Sequence, residues 1–144
     1  MTAPKPVRHP RSSPSPLDQP YWDGLSVGEV RVQRCETCGA RQWYPRPMCS
    51  RCYGFQLTWE PIEPHGRIYS FTVTHQRTGF SFDLRNPFVL AVVEFAADVS
   101  VRMAGQLIDV PPGEVSIDMP VRGVVAPAST DDDAPAALQF RWEA

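Results

Sequence analysis

The chain has 144 residues, 42% of them hydrophobic and 21% charged, with a formal net charge of -2. That length fits one ordinary domain or two very small ones, and the composition allows a packed core. The longest apolar run, Phe88 to Val93, is ended by Glu94, far short of the roughly 20 residues a membrane helix needs, so contact with a membrane is not expected.

The small net charge hides an asymmetry. Residues 1–59 carry eight basic and four acidic side chains, whereas residues 60–144 carry six basic and twelve acidic ones. A cationic N-terminal half suits an acidic surface or a phosphate-bearing ligand, or is simply a solvated face. Residues 1–16, rich in Pro, Ser and basic side chains, lack the hydrophobic period of a core and the apolar stretch of a signal peptide. They read as a disordered tail or linker, and the protein as cytoplasmic.

Residues 17–29 form the next unit, with a short helix over Leu17 to Val27. Asp18 is placed to cap it, Pro20 fits the first turn and Gly28 stops it. Tyr21, Trp22 and Leu25 make a compact apolar face, which must pack either on this domain or on a partner subunit. Residues 30–63 hold the four cysteines, flanked by short strand candidates at Val30–Arg34, Gln42–Tyr44 and Leu57–Pro61. Residues 64–144 are β-rich. In the first strand Ile68, Ser70, Thr72 and Thr74 alternate with Tyr69, Phe71, Val73 and His75. Phe88–Phe95 is apolar on both faces, and Val101, Met103 and Leu107 mark a third strand in which Gly105 suggests a bulge or bend. Met119–Ala126 and Ala137–Trp142 complete five strands with no helical pattern between them, which predicts a small closed barrel or a sandwich.

The cysteines form two knuckles, Cys35-Glu-Thr-Cys38 followed by Gly39, and Cys49-Ser-Arg-Cys52 followed by Tyr53-Gly54. Each knuckle offers two thiolates from a tight turn, and Gly39 and Gly54 stand where such turns favour positive φ. Four soft ligands in two pairs suit tetrahedral zinc, with iron the alternative for the same thiolates. Disulfides lack a secretory context and a redox dithiol lacks its βαβ setting. A shell of four cysteines is closed, so the metal, Zn2+, is expected to be structural.

No catalytic constellation stands out. His9, His65 and His75 fall in no obvious nucleophilic constellation, and neither a phosphate loop nor a dinucleotide fingerprint occurs. The segment Gln76–Pro87 brings Phe80, Phe82, Leu84, Arg77 and Arg85 together, a composition that suits either a binding surface or a loop whose Phe80 and Phe82 fold back onto the barrel end.

Two functional readings arise. A zinc ribbon before a five-stranded barrel is a familiar binder of single-stranded nucleic acid, but the barrel half is acidic, against what a phosphate-tracking groove needs. The second reading comes from a resemblance carried by Tyr21-Trp22-Asp23-Gly24-Leu25, Arg34-Cys35-Glu36-Thr37-Cys38-Gly39, Tyr44-Pro45-Arg46-Pro47-Met48-Cys49-Ser50-Arg51-Cys52, Gly66-Arg67-Ile68-Tyr69-Ser70-Phe71-Thr72-Val73-Thr74-His75, Pro87-Phe88-Val89-Leu90-Ala91-Val92-Val93-Glu94 and Met119-Pro120-Val121. Over residues 17–142 this order resembles the family of zinc-ribbon and OB-fold proteins known as domain of unknown function 35, associated with acyl-CoA metabolism. The resemblance implies a mainly β chain: an N-terminal helix, a rubredoxin-like zinc ribbon and a five-stranded OB-fold barrel. It further implies a non-catalytic partner of a thiolase-superfamily enzyme, with retro-aldol cleavage of a steroid side-chain CoA thioester as the preferred context. A MaoC-type hydratase in the same chain or complex belongs to that picture, as does acyl-CoA at the interface. Under this reading Tyr21, Trp22, Leu25, Phe80 and Phe82 are candidate partner contacts. Arg46, Arg51, Arg77 and Arg85 are candidates for CoA phosphate or the partner.

Overall fold

The computed structural model describes residues 15–75, 87–128 and 136–143. Helix α1 spans Gln19–Ser26, with Pro20 in its first turn. It ends where Gly28 takes φ +80 and the backbone N–H of Glu29 returns to the Gly24 carbonyl. Asp18 stands at the N-cap position, but its side chain caps nothing. Its carboxylate instead accepts from the backbone N–H of Ser15 (2.7 Å), Ser15 Oγ (3.0 Å), Trp22 Nε1 (3.4 Å) and the hydroxyl of Tyr44 (3.2 Å). Donors on Ser15, Trp22 and Tyr44 have taken the oxygens a cap would use, and the Tyr44 bond ties the helix to the ribbon.

The ribbon is an antiparallel sheet of β1 (Arg31–Cys35), β2 (Arg41–Gln42) and β3 (Leu57–Pro61) in the order β2-β1-β3. Strand β2 is shorter than the pattern suggested. Trp43 leaves the ladder to pack against Tyr21, ring centroids 4.5 Å apart, and Tyr44 follows it toward Asp18.

The barrel closes through β4 (His65–Thr74), β5 (Phe88–Phe95), β6 (Arg102–Ile108), β8 (Ala137–Trp142) and β7 (Pro120–Ala126), neighbours in that order. Among the described strands only β6 and β8 pair in parallel. Two local expectations fail here. Strict alternation in β4 would put Ile68 opposite in face to Phe71 and Val73. A register shift between Ile68 and Ser70 inserts one extra residue, so all three turn to the core. Gly105, by contrast, lies in unbroken register opposite Ala91. It is glycine because the Phe140 ring lies only 2.8 Å from where its Cβ would be. Pro111-Pro112-Gly113 forms a turn of 3-10 helix over Pro112–Glu114.

Phe95 and Phe140 meet edge to face at 6.4 Å in the barrel centre, among fully buried Ile68, Val93, Met103 and Val121. Tyr21, Leu25, Val30, Val32 and Ile62 join the same core, so the helix and the base of the ribbon share it with the barrel. Outside the barrel, the nearly buried Glu94 accepts from Arg102 (3.0 and 3.2 Å) and Arg67 (3.2 Å). These guanidinium hydrogen bonds, Arg102 first, hold its carboxyl below the usual range. Arg102 also lies 3.8 Å over the Tyr69 ring exposed by the bulge. Among the described residues no helix is long and apolar enough to cross a membrane.

Candidate metal centre

The two knuckles repeat one backbone device. In the first, the N–H of Gly39 donates to the Cys35 carbonyl (2.8 Å) and the N–H of Cys35 to the Ala40 carbonyl (2.8 Å). In the second, Tyr53 N–H donates to Cys49 (3.1 Å) and Cys49 N–H to Gly54 (2.8 Å). The residue after each second cysteine takes a left-handed conformation: Gly39 at φ +74 and Tyr53 at φ +61. Gly54 was expected to fill that role and does not. Its lack of a side chain serves packing instead, since a Cβ there would lie 3.3 Å from Cys52 Sγ and 3.4 Å from Thr37 Oγ1.

The knuckles bring four sulfurs within 4.8 Å of one another. Cys35 Sγ is 3.6 Å from Cys52 Sγ, and Cys38 Sγ is 3.7 Å from Cys49 Sγ. Four sulfurs each about 2.3 Å from a central zinc would stand about 3.8 Å apart, so both crossed pairs already have the tetrahedral spacing. The electrostatics agree. The backbone N–H of Cys38, pointing at Cys35 sulfur, lowers that thiol to about 6, and the N–H groups of Cys52 and Arg51 lower Cys49. Cys52 also receives an N–H, from Gly54, yet the sulfurs of Cys35, Cys38 and Cys49 together with burial push it up to about 12. Amides therefore favour thiolates that repel one another, and a divalent cation resolves that conflict. Cys35 and Cys49 are buried while Cys38 and Cys52 face solvent. All four positions of a tetrahedral ion would be filled by the protein.

Two buried glutamines position the second knuckle. Gln33 and Gln42 face each other across β1 and β2. Gln33 Oε1 accepts from Gln42 Nε2 (2.8 Å) and from the backbone N–H of Arg46 (2.9 Å), and Gln33 Nε2 donates to the Arg46 carbonyl (3.2 Å). Gln42 Nε2 donates to the Met48 carbonyl (3.3 Å), and its Oε1 accepts from the backbone N–H of Ser50 (3.0 Å). The loop entering Cys49 is thus held by side-chain amides in place of a strand. Gln42→Leu would leave the Gln33 oxygen short of one donor and strand the backbone groups of Met48 and Ser50. We expect a loss of about 1–3 kcal/mol, read by urea denaturation, with faster zinc loss to a competing chelator. Wild-type behaviour on both counts would refute this role.

The other candidate residues separate. Tyr21 (9% exposed) and Leu25 (2%) were considered as partner contacts, but they are covered within the chain. Tyr21 packs on both Trp22 and Trp43, and burial pushes its phenol up to about 12. Trp22 is half-buried. Arg46 and Arg51 are exposed on the second knuckle. Arg77, Phe80, Phe82 and Arg85 lie outside the described residues. Sequence reasoning missed the two glutamines, which belong to no motif. It also missed an exposed apolar set on the second knuckle: Met48 (41% exposed), Tyr53 (67%) and Phe55 (74%). The signal available was Tyr53 itself, standing where the first knuckle has Gly39.

With this geometry in view, the likenesses to known proteins have a clear meaning. The profile of the "ChsH2, rubredoxin-like zinc ribbon domain" matches residues 22–58, and that of the "ChsH2, C-terminal OB-fold domain" matches residues 59–126. The chain is 30% identical over 107 residues to a probable enoyl-CoA hydratase alpha subunit of Thermomonospora curvata, covering 72% of this chain and 32% of that protein. It is 30% identical over 152 residues to the 3-oxo-4,17-pregnadiene-20-carboxyl-CoA hydratase alpha subunit of Mycobacterium tuberculosis, covering 96% and 45%. It spans less than half the length of either relative. A DUF35 domain-containing scaffold protein of Methanocaldococcus jannaschii is 29% identical over 102 residues, covering 69% of this chain and 70% of that one. Among solved structures, a chain of the Ltp2-ChsH2(DUF35) aldolase superposes with a TM-score of 0.80 at 23% identity, covering 92% of this chain and 98% of that one. A DUF35 protein of Sulfolobus solfataricus does so at 0.61 and 15%, covering 89% and 86%. The zinc-ribbon profile and the four convergent sulfurs make zinc the structural metal of this site. Together the two profiles account for residues 22–126, and the chain belongs to the domain of unknown function 35 family, in its ChsH2-type form of a rubredoxin-like zinc ribbon followed by an OB-fold.

Proposed function

We propose that this chain is a non-catalytic accessory subunit or domain that binds a thiolase-superfamily acyl-CoA enzyme and helps shape the acyl-CoA site. The observation that carries the reading is that the metal centre is a closed four-thiolate shell, built to hold a surface and not to react. Relatives named as hydratase alpha subunits and as a scaffold support a role inside a larger assembly. The Ltp2-ChsH2(DUF35) aldolase supports an aldol-type cleavage as the context, and the pregnadiene-carboxyl-CoA in the name of the Mycobacterium tuberculosis relative supports a steroid side-chain CoA thioester as its substrate class. The domain division at residues 17–29, 30–63 and 64–144 is part of the proposal, with a MaoC-type hydratase in the same chain or complex. The protein works in the cytoplasm. Exposed Arg46 and Arg51, and Arg77 and Arg85 of the β4–β5 connection, are the groups to meet CoA phosphates or the partner. Phe80, Phe82 and Trp22 are the aromatic contacts retained in the proposal.

Co-expression with a thiolase-like enzyme of the same host tests this. A stable complex is expected on size exclusion, with CoA-thioester cleavage that neither protein performs alone. Turnover by the isolated chain would overturn the non-catalytic assignment, and the lack of any complex would overturn the accessory role. Steeply salt-dependent binding to oligonucleotides would favour the nucleic-acid reading instead.

A further inference from the structure

We propose that the second zinc knuckle is the docking surface for the partner enzyme, and that Tyr53 and Phe55 seat in an apolar hollow on that enzyme rimmed by carboxylates. This rests on the accessory-subunit reading. Its first support is the inequality between two otherwise matching knuckles. Both need one left-handed residue, and the first supplies Gly39. The second supplies Tyr53, a bulky side chain in a conformation that disfavours it. Among the described residues Tyr53 gains no compensating packing, being 67% exposed. An aromatic kept in a strained turn and aimed at solvent is explained by something outside the chain that covers it.

The surroundings fit a protein partner. Phe55, two residues on, is 74% exposed, and Met48 precedes the knuckle. Elsewhere among the described residues the exposed large apolar side chains are spread over separate elements, as with Leu90 on β5 and Trp142 on β8. On the knuckle three share one loop. Zinc holds that loop from within, and Gln33 and Gln42 hold its entrance, so little ordering would be needed on binding. Aromatic anchors with few rotatable bonds on a rigid support are the kind that dominate interface energy. The rim sets the partner's charge. Arg46 and Arg51 are exposed and form no ion pair with any carboxylate among the described residues. An acidic ring around an apolar hollow complements them.

The substitution Tyr53→Gly makes the test sharp, because it relieves the left-handed strain while removing the anchor. Binding to the co-expressed thiolase-like enzyme would be measured by titration calorimetry for the wild type, Tyr53→Gly, Phe55→Ser and Trp142→Ser. We expect Tyr53→Gly to keep full zinc content and an unlowered melting temperature, yet to bind about 30-fold more weakly, with a similar loss for Phe55→Ser. Trp142→Ser, on the barrel, should bind within about twofold of wild type. Arg51→Ser should reduce the dependence of the association rate on salt. Wild-type affinity in both knuckle variants would overturn the proposal and leave the accessory reading standing. A wild-type chain that binds no enzyme would remove both. A self-associating chain that the knuckle variants dissociate would show that a second copy, and not the enzyme, covers this surface.

Discussion

Removing the zinc is expected to unfold the ribbon and leave the barrel standing. A sheet with a two-residue strand and a loop held by side-chain amides has little folding energy of its own. In small ribbons the metal supplies on the order of 10 kcal/mol. The barrel differs, since Phe95, Phe140, Met103 and their neighbours form a core that needs no ion. Chelation, or Cys49→Ser, should therefore remove amide protection over β1–β3 while the β5 and β6 amides stay slow to exchange. Fluorescence from Trp43 and Trp59 should report the ribbon's loss. Acid should act in the same direction, because protons compete with zinc for the four thiolates. If the knuckle is the docking surface, the chelated protein should also lose its partner. An amide spectrum unchanged after the metal has gone would show that the ribbon folds by packing alone.

The zinc site was legible in the sequence because its requirements are local: two knuckles, each complete within four residues. The runs at Leu57–Pro61, Phe88–Phe95 and Ala137–Trp142 were legible for the same reason, since pattern and strand coincide there. What escaped depends on distant partners. Gly105 is shaped by a ring from β8, and the face of Phe71 is set by a bulge that hydrophobic alternation cannot register. Tyr21 looked like a candidate anchor for another protein until Trp43, brought over by the end of β2, was seen to pack against it. Gln33 and Gln42 did not stand out because their partners are backbone groups of a loop whose course no periodicity reveals. The exposed knuckle is the converse case. Its residue types suggest a core, and only the fold shows that nothing in the described chain covers them.

Gly66→Ala should be among the most damaging single substitutions in the barrel. At Gly66, as at Arg67, β4 pairs with both neighbours at once, here opposite Phe95 of β5 and Val121 of β7. A Cβ there would lie 1.9 Å from the Glu94 carbonyl oxygen and 2.8 Å from its carbon. Both are backbone atoms, so no rotamer change can make room, and β4 and β5 must separate where the barrel closes. The displaced residue would be Glu94, which also organises Arg67 and Arg102 on the outside. Overpacking of this kind typically costs about 1–3 kcal/mol, and a clash with fixed backbone belongs at or above the upper end. Gly113→Ala provides the control: a Cβ there meets nothing within 4 Å, so its effect should stay within about 0.5 kcal/mol. Urea denaturation followed by barrel signals separates the two. Zinc content should be unaffected in both variants, because the thiolate shell is built entirely from residues before β4. If Gly66→Ala unfolds at the wild-type urea concentration, the strand crossing at Gly66 is looser than its geometry states, and the closure of the barrel must be held elsewhere.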